Sequence, residues 1–408
     1  MRRKFQEVRA YPGNAKWNRM VRREKPLYSR RGDVRSDFAR DYNRILHSTA
    51  YRRLKHKTQV FFATGNDHIC TRIEHVNHVV AVSRTICEAL GLNSDLATAI
   101  ALGHDLGHAP FGHEGESILR AIASRELKES FWHEGNSLWF VDRIETLAGP
   151  RGKERNLNLT YAVRDGIISH CGEVDQEPMT PRRNAIRLER IKQANEYPPF
   201  TWEGCVVKIA DKISYLGRDI EDAYALDVLS QRQIEQLGKI LEKKVSATEH
   251  YISNGVLIHT FTVDLCRNST PRCGLGLSPG GAKLMEAIKD FNKEHIYLHP
   301  RLDYFKAYAN LIIESIFREL MQLYETRRVL EELKKWDTLY PLSAEVFADW
   351  LVKYSDADPA LKWKKGYRNS TVYRIARRRD YVRAVLHYIA GMTDSFAMRT
   401  FEELIRFQ

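Results

Sequence analysis

Apolar residues recur at spacings of three and four along most of the chain, which is the period of an α-helix with one buried face. One such stripe follows His75 and ends before Gly91, a residue type that commonly stops helices. The stripe consists of Val79, Val82, Ile86 and Leu90. We therefore predict a helix over this segment.

Two further segments carry the same helical signal. A second helix is expected to begin at Ser94-Asp95, which are good capping residues, and to run toward His104. A third is predicted from Val206 to Ile220, where every third or fourth residue is apolar. The segment Gly255–Asp264 has the β-branched content of a strand, but we predict a helix there too. The expected fold class is all-α.

The proline- and glycine-rich segment Ser269–Gly281 predicts a flexible loop between a catalytic part and a helical C-terminal region. The expected organisation is an N-terminal arm at 1–50, a catalytic core at 51–268 and a C-terminal helical region at 282–408, packed as one globular unit. The arm is rich in arginine and poor in apolar runs, so we expect an irregular segment that packs against a neighbouring subunit.

Composition excludes several classes of protein. With 408 residues, 43% hydrophobic and 28% charged, the chain is neither disordered, nor collagen-like, nor a small disulfide scaffold. It has no apolar run of about 20 residues and no apolar stretch near its start, so we expect a cytoplasmic protein with no membrane partner. Six scattered cysteines without a CxxC pair predict reduced thiols rather than a zinc finger.

The net charge of +12 suits a protein that binds phosphates, whether on nucleotides or on nucleic acid. A basic but solvated surface is the alternative. Charge alone does not choose between them.

The densest polar cluster is HDLGHAPFGHEGE, from His104 to Glu116, with three histidines and three acids in 13 residues. Burying such groups beside apolar helices is costly unless a cation or a reaction uses them. Adjacent His104 and Asp105 point about 100° apart on a helix, so they reach one ion only where the helix ends, at Leu106-Gly107. Imidazoles with carboxylates indicate a divalent cation such as Mn²⁺, Mg²⁺, Co²⁺, Fe²⁺, Ni²⁺ or Zn²⁺.

The third helix offers a further ligand. Asp211, Tyr215 and Asp219 are spaced by four residues and share one face, roughly opposite the apolar stripe. A solvated polar face is the alternative interpretation. Because Asp211 lies inside the apolar text VVKIADKISYL, we favour a ligand role for it.

The order His75, His104-Asp105, Asp211 resembles the signature of the HD superfamily of metal-dependent phosphohydrolases. The surrounding text is similar, over nearly the whole chain, to the deoxyguanosine triphosphate triphosphohydrolase-like branch. The similar segments are Ser36–Val60, Thr71–His75, Ala101–Glu116, Leu157–Thr160, Ala210–Ala223, Lys289–Pro300 and Tyr388–Ala397.

The resemblance implies a role for each matching residue. The implied metal ligands are His75, His104, Asp105 and Asp211. The implied catalytic groups near the α-phosphate are His113, Glu116, His133 and His108. The implied substrate-binding residues are Gln59 and Arg72, near the sugar and base, and Lys212, Tyr215 and Asp219, at the phosphates and deoxyribose.

The resemblance also implies an HD-domain helical fold and hydrolysis of a deoxynucleoside triphosphate (dNTP), such as dGTP, to deoxynucleoside and inorganic triphosphate. The implied cofactor is Mn²⁺, Mg²⁺ or Co²⁺, and the implied assembly is a homo-oligomer, often a hexamer. Single-stranded DNA or a dNTP is a candidate effector. One residue departs from the family: His78 stands where an acidic residue is common, three positions after His75.

Two alternatives stay open at this stage. One is another HD enzyme, a phosphodiesterase or nucleoside monophosphatase, which would share the metal residues without needing the text HAPFGHEGE. The other is a nucleic-acid-binding protein in which the HD pocket is regulatory.

Overall fold

The computed structural model describes residues 4–28, 31–61, 66, 68–149, 152–171, 177–242, 253–326 and 328–406. Its regular structure is helical apart from one short antiparallel hairpin and isolated bridges, so the predicted all-α class is confirmed. Within these ranges, no helix has both the length and the hydrophobicity that a membrane crossing needs.

In chain order the elements are α1 (Trp17–Met20), α2 (Asp37–Leu46), α3 (Thr49–Arg53), α4 (Arg72–Leu90), α5 (Ser94–Gly103), α6 (Gly112–Leu127), α7 (His133–Trp139), β1 (Thr146–Ala148), β2 (Glu154–Asn156), α8 (Tyr161–Ile168), α9 (Trp202–Ala225), α10 (Gln231–Glu242), α11 (Asn254–Asn268), α12 (Pro279–Asn292), α13 (Arg301–Glu325), α14 (Val329–Trp336), α15 (Pro341–Tyr354), α16 (Pro359–Lys364), α17 (Arg378–Ala390) and α18 (Asp394–Ile405). Short 3₁₀ or π turns lie at Leu54–His56, Phe140–Ile144, Leu188–Arg190 and Lys293–Tyr297.

Internal contacts divide the chain into two compact units whose segments interleave along the sequence. Unit 1 comprises Met1–Asn43, Thr64–His104 and Leu159–Tyr304, and unit 2 comprises Arg44–Ala63, Asp105–Asn158 and Phe305–Gln408. The linear partition into 1–50, 51–268 and 282–408 stays a prediction.

Helices α4, α5 and α9 pack against one another in unit 1, together with α8 and α11. The predicted stripe of α4 is buried, and Gly91 ends this helix in the left-handed conformation with φ 81°. Glu74 and Thr71 form a capping box at its start, which satisfies backbone N–H groups of the first turn. The first predicted helix is thus confirmed, and it begins just before His75.

The other two predicted helices are confirmed with adjusted ends. The N-cap of α5 is Asn93, whose side chain accepts the N–H of Leu96, rather than Ser94. The α5 helix ends at Gly103, so His104 follows it directly. The third helix, α9, extends the predicted range at both ends and is buried along most of its length.

The β-branched segment after Gly255 is helical, as predicted, because it belongs to α11. The segment predicted as a flexible loop lies inside unit 1 and is tied by isolated antiparallel bridges, one from Thr270 to Gly274 and one from Met179 to Leu275. Leu275 is fully buried. This segment is therefore a hydrogen-bonded loop as far as Ser278, and residues 279–281 already belong to α12.

The N-terminal arm packs on its own chain. Phe5 is fully buried, and its ring meets Trp202 edge to face at 5.0 Å. The buried Glu203 carboxylate accepts the backbone N–H groups of Ala10, at 2.9 Å, and Asn93, at 3.0 Å. The arm is not irregular throughout, because it contains the whole of α1 and α2. A contact with a neighbouring subunit stays a prediction.

Candidate active site

Three of the predicted metal ligands meet in unit 1. The Nε2 atom of His75 lies 2.9 Å from Oδ1 of Asp211, and Nε2 of His104 lies 3.8 Å from the same oxygen. One ligand atom from each residue lies within 4.8 Å of the others. Two imidazoles and one carboxylate at this separation suit a divalent cation of the borderline class.

Each of these side chains is positioned by a helix. His75 belongs to the first turn of α4, and Asp211 lies near the middle of α9. His104 follows the C-terminus of α5, where its Nδ1 donates to the carbonyl of Ala101 at 2.6 Å. That hydrogen bond fixes the tautomer, since a neutral imidazole that donates through Nδ1 keeps its lone pair on Nε2.

The charge on Asp211 also favours a cation. Burial by itself raises the pKa of this carboxyl group. The hydrogen bond from His75 and the nearby imidazoles of His104 and His170 outweigh burial and hold the pKa well below its ordinary value. Asp211 is therefore an ionised carboxylate at neutral pH.

Asp105, the fourth predicted ligand, is the first residue of its segment in unit 2. Its side chain is buried, and its Oδ1 lies 3.9 Å from Nε2 of His133. Its role as a metal ligand stays a prediction, supported by its position directly after His104 in the chain.

The four predicted catalytic residues come together in unit 2. Nδ1 of His133 donates to Oε2 of Glu116 at 2.9 Å, and Nδ1 of His113 lies 3.6 Å from the same oxygen. The ring of His108 stacks on that of His133 at 4.3 Å. The side chain of His113 is 73% exposed, whereas the other three residues are buried. One imidazole therefore faces solvent while a buried acid orients it.

Glu116 is held ionised by its partners. Burial alone raises the pKa of its carboxyl group, but the nearby imidazole of His113 and the hydrogen bond from His133 outweigh burial and hold the pKa well below its ordinary value. Its second oxygen, Oε1, accepts from Arg120 at 2.7 Å, and the same guanidinium donates to the carbonyl of Phe131 at 3.0 Å. Arg120 thus links the acid to the segment that leads into His133.

A tight turn presents His113 and Glu116. Phe111, the residue before α6, and Gly112, its first residue, both have positive φ, 62° and 61°. The helix then packs closely on this turn, because a Cβ at Gly115 would lie 1.8 Å from the carbonyl oxygen of Pro110. The two glycines of the segment HAPFGHEGE therefore allow the backbone conformation that positions the predicted catalytic residues His113 and Glu116.

Four of the predicted substrate-binding residues belong to unit 1. Arg72, Lys212 and Asp219 are buried, and Tyr215 is half-buried. Oδ2 of Asp219 accepts the hydroxyl of Tyr297 at 2.6 Å. Burial raises the pKa of Asp219 to about 7, although the Tyr297 hydrogen bond opposes this effect. Gln59 belongs to unit 2 and is half-buried, and its role stays a prediction, as do those of the others.

His78, the departure from the family pattern, is half-buried one turn after His75. Burial, with the nearby His75 and Arg218, lowers the pKa of His78. It is therefore a neutral imidazole at neutral pH, where an acidic residue would carry a negative charge.

Sequence reasoning missed three residues that the structure brings to these clusters: His170, Arg120 and Tyr297. Tyr297 lies in the segment Lys289–Pro300, whose similarity to the family was a usable signal. Arg120 lies four residues after Glu116, a spacing at which side chains meet on a helix. His170 follows an apolar helical segment, and in the sequence this pattern is typical of an ordinary core histidine.

Comparisons with known proteins identify the family of the chain. The HD domain family matches residues 72–216, and the phosphohydrolase-associated domain matches residues 348–403. A deoxyguanosinetriphosphate triphosphohydrolase-like protein of Caldanaerobacter subterraneus is 32% identical over 91% of this chain and 86% of its own. Proteins with the same description from Rickettsia canadensis, 32% identical over 91% and 93%, and Desulfatibacillum aliphaticivorans, 42% identical over 49% and 51%, are also similar. The chain therefore belongs to the HD-domain phosphohydrolases, in the family of deoxyguanosinetriphosphate triphosphohydrolase-like proteins.

Proposed function

We propose that this protein hydrolyses dNTPs to deoxynucleoside and inorganic triphosphate in a reaction that depends on a divalent cation. The observation that carries the proposal is the exposed His113 imidazole, oriented by the buried Glu116–His133 pair. Family membership supports the same reaction class, since the relatives are described as triphosphohydrolase-like.

The donor set fits the cation that the family implies. His75, His104 and Asp211 would hold it, with Asp105 as the further ligand, and Mn²⁺, Mg²⁺ or Co²⁺ is our proposal for its identity. When bound, such an ion polarises a phosphoryl oxygen and lowers the pKa of coordinated water. The hydrogen bond from His104 to Ala101 and the ionised state of Asp211 prepare the protein groups in advance.

The histidines of unit 2 are proposed to move the proton. Water attacks the α-phosphorus and loses a proton to the solvent, the bond from phosphorus to the 5′ oxygen breaks, and triphosphate forms while the 5′ oxygen takes a proton. In our proposal the imidazole of His113 supplies that proton, and Glu116 stabilises the imidazolium form before transfer. His133 holds Glu116 in place through its Nδ1 hydrogen bond. His108, stacked on His133, adds a further imidazole on the phosphate side.

The buried cations and the Asp219 pair are proposed to bind the rest of the substrate. Lys212 and Arg72 would neutralise a triphosphate that carries about four negative charges at neutral pH. Asp219 and Tyr215 would hold the 3′-hydroxyl, with Tyr297 orienting the Asp219 carboxyl group. A half-buried Tyr215 ring against the sugar would disfavour a ribose 2′-hydroxyl by steric contact.

Product analysis tests the proposal. The purified protein is incubated with each of the four dNTPs and with GTP in Mg²⁺, Mn²⁺ and Co²⁺, and the products are separated by chromatography. We expect tripolyphosphate and deoxynucleoside from the wild type, neither product from Asp211→Ala, and both at a strongly reduced rate from His113→Ala. Release of pyrophosphate or monophosphate, or cleavage of a phosphodiester substrate instead, would favour another HD hydrolase.

The same preparation tests the remaining expectations. Binding of single-stranded DNA with a steep salt dependence would support an effector role, whereas DNA binding without any nucleotide hydrolysis would favour the regulatory alternative. The homo-oligomer is a proposal that sedimentation of the full chain tests.

A further inference from the structure

A buried histidine of unit 1 has no part in the reaction proposed above. His170 is 1% exposed and follows the C-terminus of α8. Its ring centroid lies 4.9 Å from that of His104, with the two rings edge to face. A buried ionisable ring is costly, and a third imidazole beside two others is rarely placed there for packing alone.

The geometry of His170 repeats that of His104. Each histidine follows the end of a short helix, and each Nδ1 donates to the carbonyl three residues earlier, that of Ala101 for His104 and that of Ile167 for His170, at 2.6 and 2.7 Å. This hydrogen bond is the usual support for a metal-ligating histidine, because it leaves Nε2 with a lone pair in a fixed direction. The two imidazoles are thus prepared in the same way.

His170 also lies close to one member of the cluster, His104. One ring nitrogen of His170 lies within 4.8 Å of one of His104. Two nitrogens bound to one ion at about 2.1 Å are at most ~4.2 Å apart, so a shift of a few tenths of an ångström brings both into ligand range. His170 is also among the groups whose charge acts on Asp211.

We propose that His170 is a ligand of the divalent cation in unit 1, binding through Nε2 beside His75, His104 and Asp211; this inference rests on the proposed metal site. A third imidazole makes the donor set richer in nitrogen, which favours Mn²⁺, Co²⁺, Ni²⁺ or Zn²⁺ over Mg²⁺.

The test substitutes asparagine, whose side-chain NH₂ reproduces the Nδ1 donor while the Nε2 atom is lost. His170→Asn is compared with two controls. His104→Asn also keeps a donor in place of Nδ1 and loses the Nε2 atom. His387→Asn changes a half-buried histidine of unit 2 that stacks on Trp139. Cobalt binding is followed by equilibrium dialysis and by the visible absorption of the Co²⁺ protein. Thermal unfolding of each variant reports whether the fold is kept, and His170→Gln is measured in parallel as a variant closer in volume.

We expect His170→Asn and His170→Gln to lose Co²⁺ affinity by ~100-fold or more and to alter the absorption spectrum of the saturated protein, as His104→Asn does. His387→Asn should bind Co²⁺ as the wild type does. Wild-type affinity and an unchanged spectrum in the His170 variants would overturn the inference, even where His104→Asn loses the ion. If the wild type itself binds no Co²⁺ and forms no tripolyphosphate, the proposed function fails instead.

Discussion

Asp219→Asn changes one buried charge and almost nothing else. The side chain is 3% exposed, and Tyr297 donates to its Oδ2. Asparagine has the same shape and keeps a carbonyl oxygen for that hydroxyl, but it carries no charge at any pH. The difference between the two proteins therefore isolates the cost of ionising the Asp219 carboxyl group.

The size and sign of the effect follow from the pKa of Asp219. Burial raises this pKa from 3.8 to about 7, and at about 1.4 kcal/mol for each pKa unit this corresponds to ~4 kcal/mol. Below pH 3.8 both the folded and the unfolded chain are protonated at this position, so Asp219 costs nothing. As the pH rises toward 7, the unfolded chain loses the proton while the folded chain keeps it, so stability is lost progressively.

Urea unfolding of the cation-free proteins, followed by circular dichroism from about pH 4 to about pH 8, measures the difference. We expect Asp219→Asn to match the wild type at the acid end and to be more stable by ~4 kcal/mol at the alkaline end. Asp227→Asn, an exposed acid just beyond α9, is the matched control and should show no such trend. A difference independent of pH, or one that grows toward acid, would refute the burial argument.

Three further predictions address the site and its support. His113→Ala should lower kcat by ~10²-fold or more with Co²⁺ still bound, and loss of the ion would make His113 a ligand instead. Tyr215→Ala should lower kcat/KM for all four dNTPs to a similar degree, and it should weaken discrimination against GTP more than discrimination among the four bases. Loss of activity on the dNTP of one base alone would assign Tyr215 to base recognition. Gly115→Ala should lower the unfolding temperature and the activity together, because its Cβ would clash with the carbonyl of Pro110, and a wild-type melting curve would contradict the packing.

Much of unit 1 could be predicted, because the spacing of apolar residues along its helices indicates which face of each helix is buried. The stripes of α4 and α9 predict both the helices and the faces that are buried. The α11 helix shows the opposite case, since its β-branched residues favour a strand locally and only packing against α9 and α4 makes a helix the better state. Helix starts were less predictable, because Asn93 and Ser94 are both good caps and the tertiary contact of Asn93 with Glu203 decides between them.

The candidate site was predictable where its residues are close in sequence. His113 and Glu116 are three residues apart on α6, so their contact follows from helix geometry. The pairing of His75 with Asp211 joins positions 136 residues apart; the apolar surroundings of Asp211 indicated a ligand role for it, but its place beside His75 was indicated by the resemblance to a family. His170 could not be identified, because the hydrogen bond that prepares its ring depends on where α8 ends and not on a residue pattern.

Glu203 has a practical consequence for anyone who prepares this protein. Glu203 lies in the first turn of α9, the helix that carries Asp211, and its buried carboxylate accepts the N–H of Ala10. Trimming residues 1–10 would leave that carboxylate with one partner fewer, at a cost of about 1–3 kcal/mol. Trimming would also uncover the ring of Trp202 where Phe5 now packs. An affinity tag should therefore be added before the intact N-terminal segment and should not replace it. Loss of activity in a shortened protein would say little about the catalytic residues.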